Sequence, residues 1–349
     1  MNHRFFRWFR HWETRVHELN YLFWECTTRC NLHCRHCGSD CGRGQREPDM
    51  PLEDFLSALD TIPQKPKGFT VVLTGGEPLL RPDIADCGRA LRQRGVGWGM
   101  VSNGFFYDEV TQQKLLEAGL GALTISLDGL KEEHNRMRGH RDSFDRATRA
   151  ISLAALAPGL AFDVVTCVHQ RNLPQLPEIH ALLKSMNVRR WRLFTIIPIG
   201  RAASEPGFQL SPAQTVQLME FIRAHRGGEM DVSFSCEGYL GRYEEQVRNT
   251  PFFCHAGINI ASVLADGRIC ACPDIDREVF SQGNIYRDSL WEVWNTRFKP
   301  FRDRSWARMG SCAHCPAFKD CEGGGMHNWK GECKEPLTCI YQSINQHYA

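Results

Sequence analysis

Residues 24–37, Trp-Glu-Cys-Thr-Thr-Arg-Cys-Asn-Leu-His-Cys-Arg-His-Cys, decide the fold class, because they join an apolar strand-like run to three closely spaced cysteines. Cys30, Cys34 and Cys37 have the spacing C-x3-C-x2-C. Three thiolates on one short loop can ligate three irons of a [4Fe–4S] cubane, and the fourth iron then keeps an open position. A structural zinc site completed by Cys41 is the alternative that spacing alone leaves open.

Strand-like and helical runs alternate after this first strand. The strand-like runs are 21–26, 69–74, 97–102, 121–127, 161–168 and 190–197. Helical periodicity follows near 51–62, 82–94, 108–118, 142–156, 175–186 and 211–225. Six β-then-α units in sequence predict parallel strands with right-handed crossovers. Because the sequence lacks two further units for a closed barrel, we predict an α/β fold, a partial (β/α)6 barrel over 21–228.

Two further regions flank the predicted barrel. Residues 1–20 are aromatic and basic at helical spacing, which predicts an amphipathic helix. Such a helix can pack against the main domain or lie on a membrane surface, and both alternatives stay open. Residues 229–349 have weak helical periodicity and dense glycine and cysteine. They predict a small cysteine-rich C-terminal domain whose core depends on metal.

Composition narrows the class of protein. The chain has 349 residues, a net charge of +2 and 42% hydrophobic residues. This charge gives no drive toward nucleic acid, and no window approaches the ~20 apolar residues of a membrane span. The N-terminus lacks the features of a signal peptide, so we expect a cytoplasmic protein. Sixteen cysteines in that reducing compartment indicate metal binding rather than disulfides.

Motifs at the ends of three predicted strands identify a family. Strand two ends in Thr74-Gly-Gly-Glu-Pro78, strand three in Ser102-Asn-Gly104 and strand four in Ser126-Leu-Asp-Gly129. Together with C-x3-C-x2-C in this order, they resemble the radical S-adenosylmethionine (SAM) superfamily over about residues 20–225. The resemblance implies a [4Fe–4S] cluster on the three cysteines and SAM on its open iron. It implies SAM contacts from His36, Gly75, Gly76, Glu77, Ser126, Arg138 and Ile197.

The resemblance also implies a role for each of these residues. The glycines let the backbone approach closely, and Glu77 accepts a hydrogen bond from the SAM amino group. Ser126 and Arg138 contact the ribose and carboxylate, and the backbone of Ile197 meets the adenine. His36 replaces the family's usual aromatic residue. Alternatively, Ser126 and Asp128 only cap the following helix.

The C-terminal cysteines resemble a second family pattern. Cys254-x12-Gly267-x4-Cys272 and Cys312-x2-Cys315-x5-Cys321 match the SPASM domain, which carries auxiliary [4Fe–4S] clusters. The match implies an outer cluster on Cys312, Cys315, Cys321 and Cys339. It implies an inner cluster on Cys254 and Cys272.

The SPASM pattern fails at one position. It expects another cysteine where this chain has Gly325. We assign Cys333 to the inner cluster, and ligation by Cys236 or Cys270, or an open iron, stays an alternative. A zinc ribbon is the alternative for the whole region.

The resemblance implies a function and its partners. We expect an enzyme with three [4Fe–4S] clusters that reductively cleaves SAM to a 5′-deoxyadenosyl radical and oxidatively modifies a peptide or protein, as maturases do. A flavodoxin- or ferredoxin-type protein would supply electrons. The context of the first cysteines resembles a subgroup found beside small bacterial lipoproteins. Only about 20 residues precede strand one, so we expect no fused precursor-recognition domain. The alternatives are radical modification of a small molecule such as a tetrapyrrole, or a non-enzymatic iron–sulfur protein.

Overall fold

A computed structural model describes residues 3–42, 47–235, 237–331 and 333–349. Cys236, one alternative ligand, therefore lies outside the described residues. The strands are β1 Tyr21–Thr27, β2 Thr70–Gly75, β3 Gly97–Ser102, β4 Leu120–Ser126, β5 Ala161–Val168, β6 Arg190–Thr195, β7 Asp231–Phe234, β8 Ile260–Val263, β9 Arg268–Cys270 and β10 Gly283–Asn284. The helices are α1 His3–Val16, α2 Leu52–Asp60, α3 Ile84–Gln93, α4 Glu109–Glu117, α5 Lys131–Arg138, α6 Ser143–Ala155, α7 Leu176–Ser185, α8 Pro212–His225, α9 Arg277–Phe280, α10 Leu290–Thr296, α11 Lys299–Arg302, α12 Phe318–Cys321 and α13 Ile340–Tyr348.

All ten strands form one sheet in the order β10-β9-β8-β1-β2-β3-β4-β5-β6-β7. Strands β1 to β6 are parallel neighbours in chain order, which confirms the predicted α/β fold. The sequence did not predict β7 and β8, which pair in parallel with β6 and β1. Strand β8 belongs to the cysteine-rich region, so that region continues the sheet of the barrel.

Alternation along β1 shows how the barrel wall is built. Leu22, Trp24 and Cys26 are fully buried on the side that faces the helices. The Trp24 ring stacks on Phe55 of α2 with centroids 4.0 Å apart and planes 5° apart. Such an aromatic pair contributes about 0.5–1.5 kcal/mol beyond the burial of its area. This packing fixes the register of β1 and so the position of the cysteine loop that follows it.

The N-terminal helix α1 is shorter than the predicted 1–20 and contacts the cysteine-rich region. Arg7 pairs with Asp320 at 2.7 Å, and Arg10 donates to the Asp320 carbonyl at 2.8 Å. The side chains of Trp8 and Trp12 are 60% and 47% exposed. The basic side of α1 therefore packs against the protein, while much of its aromatic side faces outward. Among the described residues, no helix is long and apolar enough to cross a membrane.

Candidate functional site

The three cysteines of the first motif lie together on the loop after β1. Burial, with smaller contributions from the neighbouring Cys34 and Cys37, raises the pKa of the Cys30 thiol to about 12. Burial likewise raises the pKa of Cys34. Cys41 lies beside them, and its hydrogen bond to Cys37 lowers the pKa of Cys37 to about 6. Thiols that are this close and this buried favour deprotonation only when cationic groups compensate their charge.

Two nitrogen donors face these thiols. The Arg138 guanidinium donates to Cys34 Sγ at 3.7 Å, and Asn103 Nδ2 lies 4.0 Å from Cys30 Sγ. Asn103 was not among the predicted contacts, although it belongs to the Ser-Asn-Gly motif that ends β3. Donors to the sulfurs of an iron–sulfur cluster tune its reduction potential. The loop therefore offers ligand atoms, and Arg138 partly offsets the effect of burial on the pKa of Cys34.

Gly75 and Gly76 lie against the start of the cysteine loop. A Cβ atom at Gly75 would lie 2.1 Å from the Thr27 carbonyl oxygen, and one at Gly76 would lie 2.0 Å from that of Arg29. At the same place the Gly76 amide donates to the Thr27 carbonyl oxygen at 2.9 Å, and the Glu77 amide donates to the Arg29 carbonyl oxygen at 2.8 Å. The glycine pair therefore permits the close approach of two loops that supply the site.

Glu77 is a buried acceptor at the same edge of the sheet. Its carboxylate accepts hydrogen bonds from Leu79 N at 3.1 Å, Ser102 Oγ at 2.8 Å and Asn103 N at 2.8 Å. Burial raises the pKa of this carboxyl, and the hydrogen bonds oppose that shift. A carboxylate has about four acceptor positions, so one remains for a further donor. The role of Glu77 in holding the SAM amino group stays a prediction.

Arg138 forms an ion pair that the sequence did not predict. Its guanidinium lies 2.6 Å from the Asp128 carboxylate, and His36 Nε2 lies 3.4 Å from the same carboxylate. The cation holds the pKa of Asp128 well below its usual range despite burial, and burial lowers the pKa of His36 to about 4. At neutral pH the Asp128 carboxyl is therefore ionised and the His36 imidazole is neutral.

Asp128 and Ser126 do not cap the helix that follows β4. Helix α5 has Leu130 at its N-cap, without a side-chain hydrogen bond. The second oxygen of Asp128 accepts from the Cys167 amide at 2.9 Å instead. The capping alternative is therefore wrong. Ser126 ends β4 and is partly buried, and its contact with the SAM ribose stays a prediction.

Arg201 holds the cysteine loop from the opposite side of the barrel. Its guanidinium donates to the carbonyl oxygens of Cys34 at 2.6 Å and Cys41 at 2.9 Å. Gly200 before it has φ +55°, and a Cβ atom there would lie 2.4 Å from the Cys37 carbonyl oxygen. The sequence analysis did not predict the contact of Arg201 with the cysteine loop. The one sequence feature that could have indicated it is the Gly200-Arg201 pair shortly after β6. Strand β6 ends at Thr195, two residues before Ile197, where the sequence predicts its end.

The C-terminal region contacts Glu25, which lies near the carboxyl end of β1 and so at the mouth of the barrel. Arg277 pairs with the Glu25 carboxylate at 3.1 Å. The side chain of Asp274 is exposed, yet its pKa is raised, first by desolvation and then by Glu25. Burial raises the pKa of Cys167 on β5 well above its usual range, and Asp128, Glu237 and Asp274 add to that shift. Asp274 is therefore within electrostatic reach of Glu25 on β1 and of Cys167 on β5.

The predicted outer-cluster cysteines converge. Burial raises the pKa of Cys312 and of Cys339. The thiols of Cys321 and Cys315 add to the shift at Cys312, and those of Cys312 and Cys315 add to the shift at Cys339. A small cavity is lined by three of them, Cys312, Cys321 and Cys339. Side chains from three separate segments therefore come within electrostatic reach of one another. Their assignment as ligands stays a prediction.

The predicted inner-cluster residues are placed less uniformly. Cys254 and Cys272 are partly buried against the core, whereas Cys333 is exposed. The loop of Cys333 nevertheless approaches the segment after Cys272, because the Gly331 amide donates to Asp276 at 2.9 Å. Cys270 is fully buried, and burial raises its pKa to about 12.

Comparison with known families agrees with this geometry. Residues 24–183 match the model of the radical SAM superfamily, and residues 254–316 match the SPASM model, an iron–sulfur cluster-binding domain. The chain is a radical SAM enzyme with a SPASM domain. Its cofactors are [4Fe–4S] clusters and SAM. The number of clusters stays a prediction.

Two groups of curated proteins are similar to this radical SAM enzyme over most of its length. The AdoMet-dependent heme synthase of Oleidesulfovibrio alaskensis is 26% identical, and the alignment covers 92% of this chain and 87% of the heme synthase. The mycofactocin maturase MftC of Mycobacterium tuberculosis is 28% identical, and the alignment covers 87% of this chain and 78% of MftC.

Solved structures share the fold. Streptococcus suis SuiB bound to its precursor peptide SuiA has a TM-score of 0.70 and 17% identity, and the match covers 90% of this chain and 74% of SuiB. Native anSMEcpe with bound AdoMet and a peptide has a TM-score of 0.71 and 19% identity, with 95% and 96% of the two chains covered.

The described residues fit the cofactors at the first site. The three thiols are buried or partly buried, and two of them, those of Cys34 and Cys30, face nitrogen donors. The glycine pair and Glu77 border the same loop at the carboxyl ends of the strands. In α/β folds of this kind, ligands bind at that edge. The match therefore rests on the arrangement of the side chains as well as on their spacing.

Proposed function

We propose that this enzyme oxidatively modifies a peptide or protein substrate at the mouth of the partial barrel. When bound, the cluster on Cys30, Cys34 and Cys37 supplies the electron that cleaves SAM to methionine and a 5′-deoxyadenosyl radical. Glu77 would accept a hydrogen bond from the SAM amino group. The ion pair of Arg138 with Asp128 orients the cysteine loop against the end of β4.

The observation that carries the substrate class is the acidic mouth. Of the charged residues there, Glu25 pairs with Arg277, but Asp274 adds a further carboxyl with accessible surface. An acidic interior favours neutral or cationic groups, such as a peptide amide or a basic side chain. A porphyrin that carries several carboxylates would be repelled there. The likeness to the mycofactocin maturase MftC supports the same class.

A second candidate is radical modification of a tetrapyrrole. The likeness to AdoMet-dependent heme synthases favours it, because that match covers 92% of this chain. Such a substrate would need cations at the mouth to hold its carboxylates. Arg277 is a cation beside Glu25, and its guanidinium already pairs with that carboxylate.

Further elements complete the proposal. A flavodoxin- or ferredoxin-type protein would donate the first electron, and the auxiliary clusters would accept the electron left on the oxidised substrate. Residues 21–228 would perform the radical chemistry, residues 229–349 would hold the auxiliary clusters, and residues 1–20 would form a helical extension. The enzyme would work in the cytoplasm, where such donors and reduced thiols occur.

The substrate test compares two additions under anaerobic conditions. Reconstituted enzyme receives SAM and dithionite with either a panel of peptides encoded near its gene or an iron porphyrin with free propionates. We expect a peptide to raise 5′-deoxyadenosine formation and to change mass. Asp274→Asn should reduce the stimulation by the peptide, and it should leave the rate of 5′-deoxyadenosine formation without peptide unchanged. Stimulation by the porphyrin alone would overturn the peptide proposal.

The cofactor test addresses Glu77 and the cysteine loop separately. Glu77→Gln should weaken SAM binding by ~1.5–3 kcal/mol, because a charge-assisted hydrogen bond is lost. The exposed Glu117→Gln is the matched control. Replacing the three loop cysteines by alanine should remove roughly a third of about twelve irons. Unchanged SAM affinity in Glu77→Gln would contradict the role of that residue.

A further inference from the structure

We propose that the outward face of helix α1 is the docking surface for an acidic electron-transfer protein, which takes up the electron that leaves the outer auxiliary cluster. The docking surface is the stripe of Phe5, Trp8, Trp12 and Val16. The inference rests on the proposed function, because it requires that the auxiliary clusters accept an electron from the substrate.

The four apolar side chains of the docking surface point away from the protein. Each of them is at least 47% exposed. They lie three or four positions apart, so they share one side of the helix and form a stripe about 17 Å long. Exposed apolar side chains that lie together mark interaction sites, and Trp and Phe are enriched at the centres of protein interfaces. This side of α1 is therefore suited to be covered by a partner.

The opposite side of α1 is bound to the segment that carries Cys321. The Arg7 guanidinium donates from Nε and Nη2 to the two carboxylate oxygens of Asp320, at 2.7 Å each. The buried Arg10 donates to the Asp320 carbonyl oxygen at 2.8 Å and pairs with Glu322 at 2.8 Å. These contacts hold the residues on both sides of Cys321. Helix α1 is therefore fixed over this segment of the cysteine-rich region.

The Cys321 segment places α1 beside the predicted outer cluster. Cys321 lines the cavity at which the predicted outer-cluster cysteines converge, and Tyr239 lines the same cavity. Tyr239 also lines a second small cavity, together with Phe6 of α1 and Asp320. Tyr239 and the Asp320–Cys321 segment therefore separate α1 from the predicted outer site. Because electron transfer slows steeply with distance, a protein docked on α1 is well placed to take an electron from that site.

The charges of α1 favour an acidic partner. Arg4 and Arg15 are exposed, and they lie beside the stripe because they are four and three positions from Trp8 and Trp12. The single acidic residue in the sequence of α1 is Glu13, which accepts a hydrogen bond from Asn259 Nδ2 at 2.8 Å. Complementary charge steers the encounter of two proteins and fixes their orientation.

An acidic flavodoxin or ferredoxin has the chemistry that this surface requires. The outer cluster would be oxidised by one electron, and the flavin or iron–sulfur centre of the partner would be reduced by one. A stripe of four side chains is small, which suits the short-lived contacts of electron-transfer partners. An anionic membrane could also meet aromatic and basic residues of this kind. Electron transfer, unlike membrane contact, requires that α1 be fixed at the outer site, so the contacts of Arg7 and Arg10 favour the protein.

Binding of the reconstituted enzyme to an acidic flavodoxin and to an acidic ferredoxin tests the proposal. The wild-type enzyme should bind at least one of them, less tightly as the salt concentration rises. Trp8→Glu should weaken this binding about tenfold or more, because it removes an aromatic anchor and adds a like charge. It should also slow the oxidation of the reduced outer cluster by the oxidised partner, measured by stopped-flow absorbance.

Matched variants control for the loss of an exposed side chain. Leu156→Glu changes an apolar residue of the barrel that is 69% exposed, and it should leave the binding unchanged. Arg15→Gln should weaken the binding, whereas Arg141→Gln, at a side chain that is 92% exposed, should not. Iron content and the thermal unfolding midpoint should be the same in Trp8→Glu and the wild type, because the indole is exposed.

The outcomes separate this inference from the function on which it rests. Equal binding by Trp8→Glu and the wild type would overturn the docking surface, and so would binding to neither protein. Binding to phosphatidylglycerol vesicles that depends on Trp8, with binding to neither protein, would assign the surface to a membrane instead. An enzyme that binds the flavodoxin through Trp8 but forms no 5′-deoxyadenosine with dithionite would overturn the proposed function, while the surface itself would remain.

Discussion

Arg138 and Asp128 form a buried ion pair, with Nη2 2.6 Å from Oδ2. The same guanidinium donates to Cys34 Sγ at 3.7 Å, so one side chain joins the end of β4 to the cysteine loop. The two residues lie ten positions apart in the sequence, at the end of β4 and the end of α5. The short helix between them therefore positions a cation beside a metal-binding thiol.

Asp128→Asn should destabilise the cluster-free protein strongly. The substitution leaves the Arg138 guanidinium buried without a counter-charge, which typically costs ~3–5 kcal/mol. Urea unfolding measures the change. Asp145→Asn is the control, because its ion pair with Lys131 is exposed and should contribute less than ~1 kcal/mol. Equal effects of the two substitutions would contradict the importance of the buried pair.

Gly76→Ala should displace the cysteine loop. Its Cβ atom would meet the Arg29 carbonyl oxygen at 2.0 Å, and the backbone hydrogen bonds around it leave no room to shift. We expect a loss of ~1–3 kcal/mol in stability and of most of the iron of the first cluster. Iron analysis and thermal unfolding check this. Gly207→Ala, with nothing within 4 Å of its Cβ position, should change neither.

Arg201→Ala should loosen the loop without removing a ligand. Its guanidinium donates to two carbonyl oxygens of the loop and pairs with Asp40 at 2.7 Å. We expect the reconstituted enzyme to release iron to a chelator several times faster. Arg141→Ala, which removes a side chain that is 92% exposed, is the control. Release of iron at the wild-type rate by both variants would contradict the role of Arg201 in holding the loop.

Stability should fall below neutral pH because buried His134 stays neutral in the folded state. Burial, and then Arg138, lower its pKa to about 3, whereas an unfolded histidine has a pKa near ~6.5. The unfolded chain therefore binds the extra proton first, and stability is lost as pH falls below about 6.5. This one group should cost about 2 kcal/mol between pH 7 and pH 5.

His134→Gln should flatten that pH dependence. Glutamine can still accept from the Asp128 amide, which donates to the histidine ring at 3.0 Å, but it does not titrate. The exposed His11→Gln should leave the slope unchanged. Unfolding midpoints at pH 5, 6 and 7 measure the difference. A slope in His134→Gln equal to that of the wild type would show that other groups dominate.

Local pattern was enough to predict the barrel and its metal-binding loop. The alternation of a strand and the periodicity of a helix are both patterns among neighbouring positions in the sequence. They placed β4 at 121–127, where the structure has Leu120–Ser126, and α6 at 142–156, where it has Ser143–Ala155. The spacing of Cys30, Cys34 and Cys37 was equally informative, because ligands on one loop are near one another whatever surrounds them.

Tertiary structure decided the features that join distant segments. Strand β8 pairs with β1 across more than 200 residues, and Arg201 reaches Cys34 across 167 positions. His327 fills the space beside Gly325 because a short turn folds its ring back, which no periodicity records. Strand pairing and side-chain packing depend on the free energy of the whole chain. Sequence periodicity reports only the preferences of neighbouring residues, so these contacts became visible only when the chain was folded.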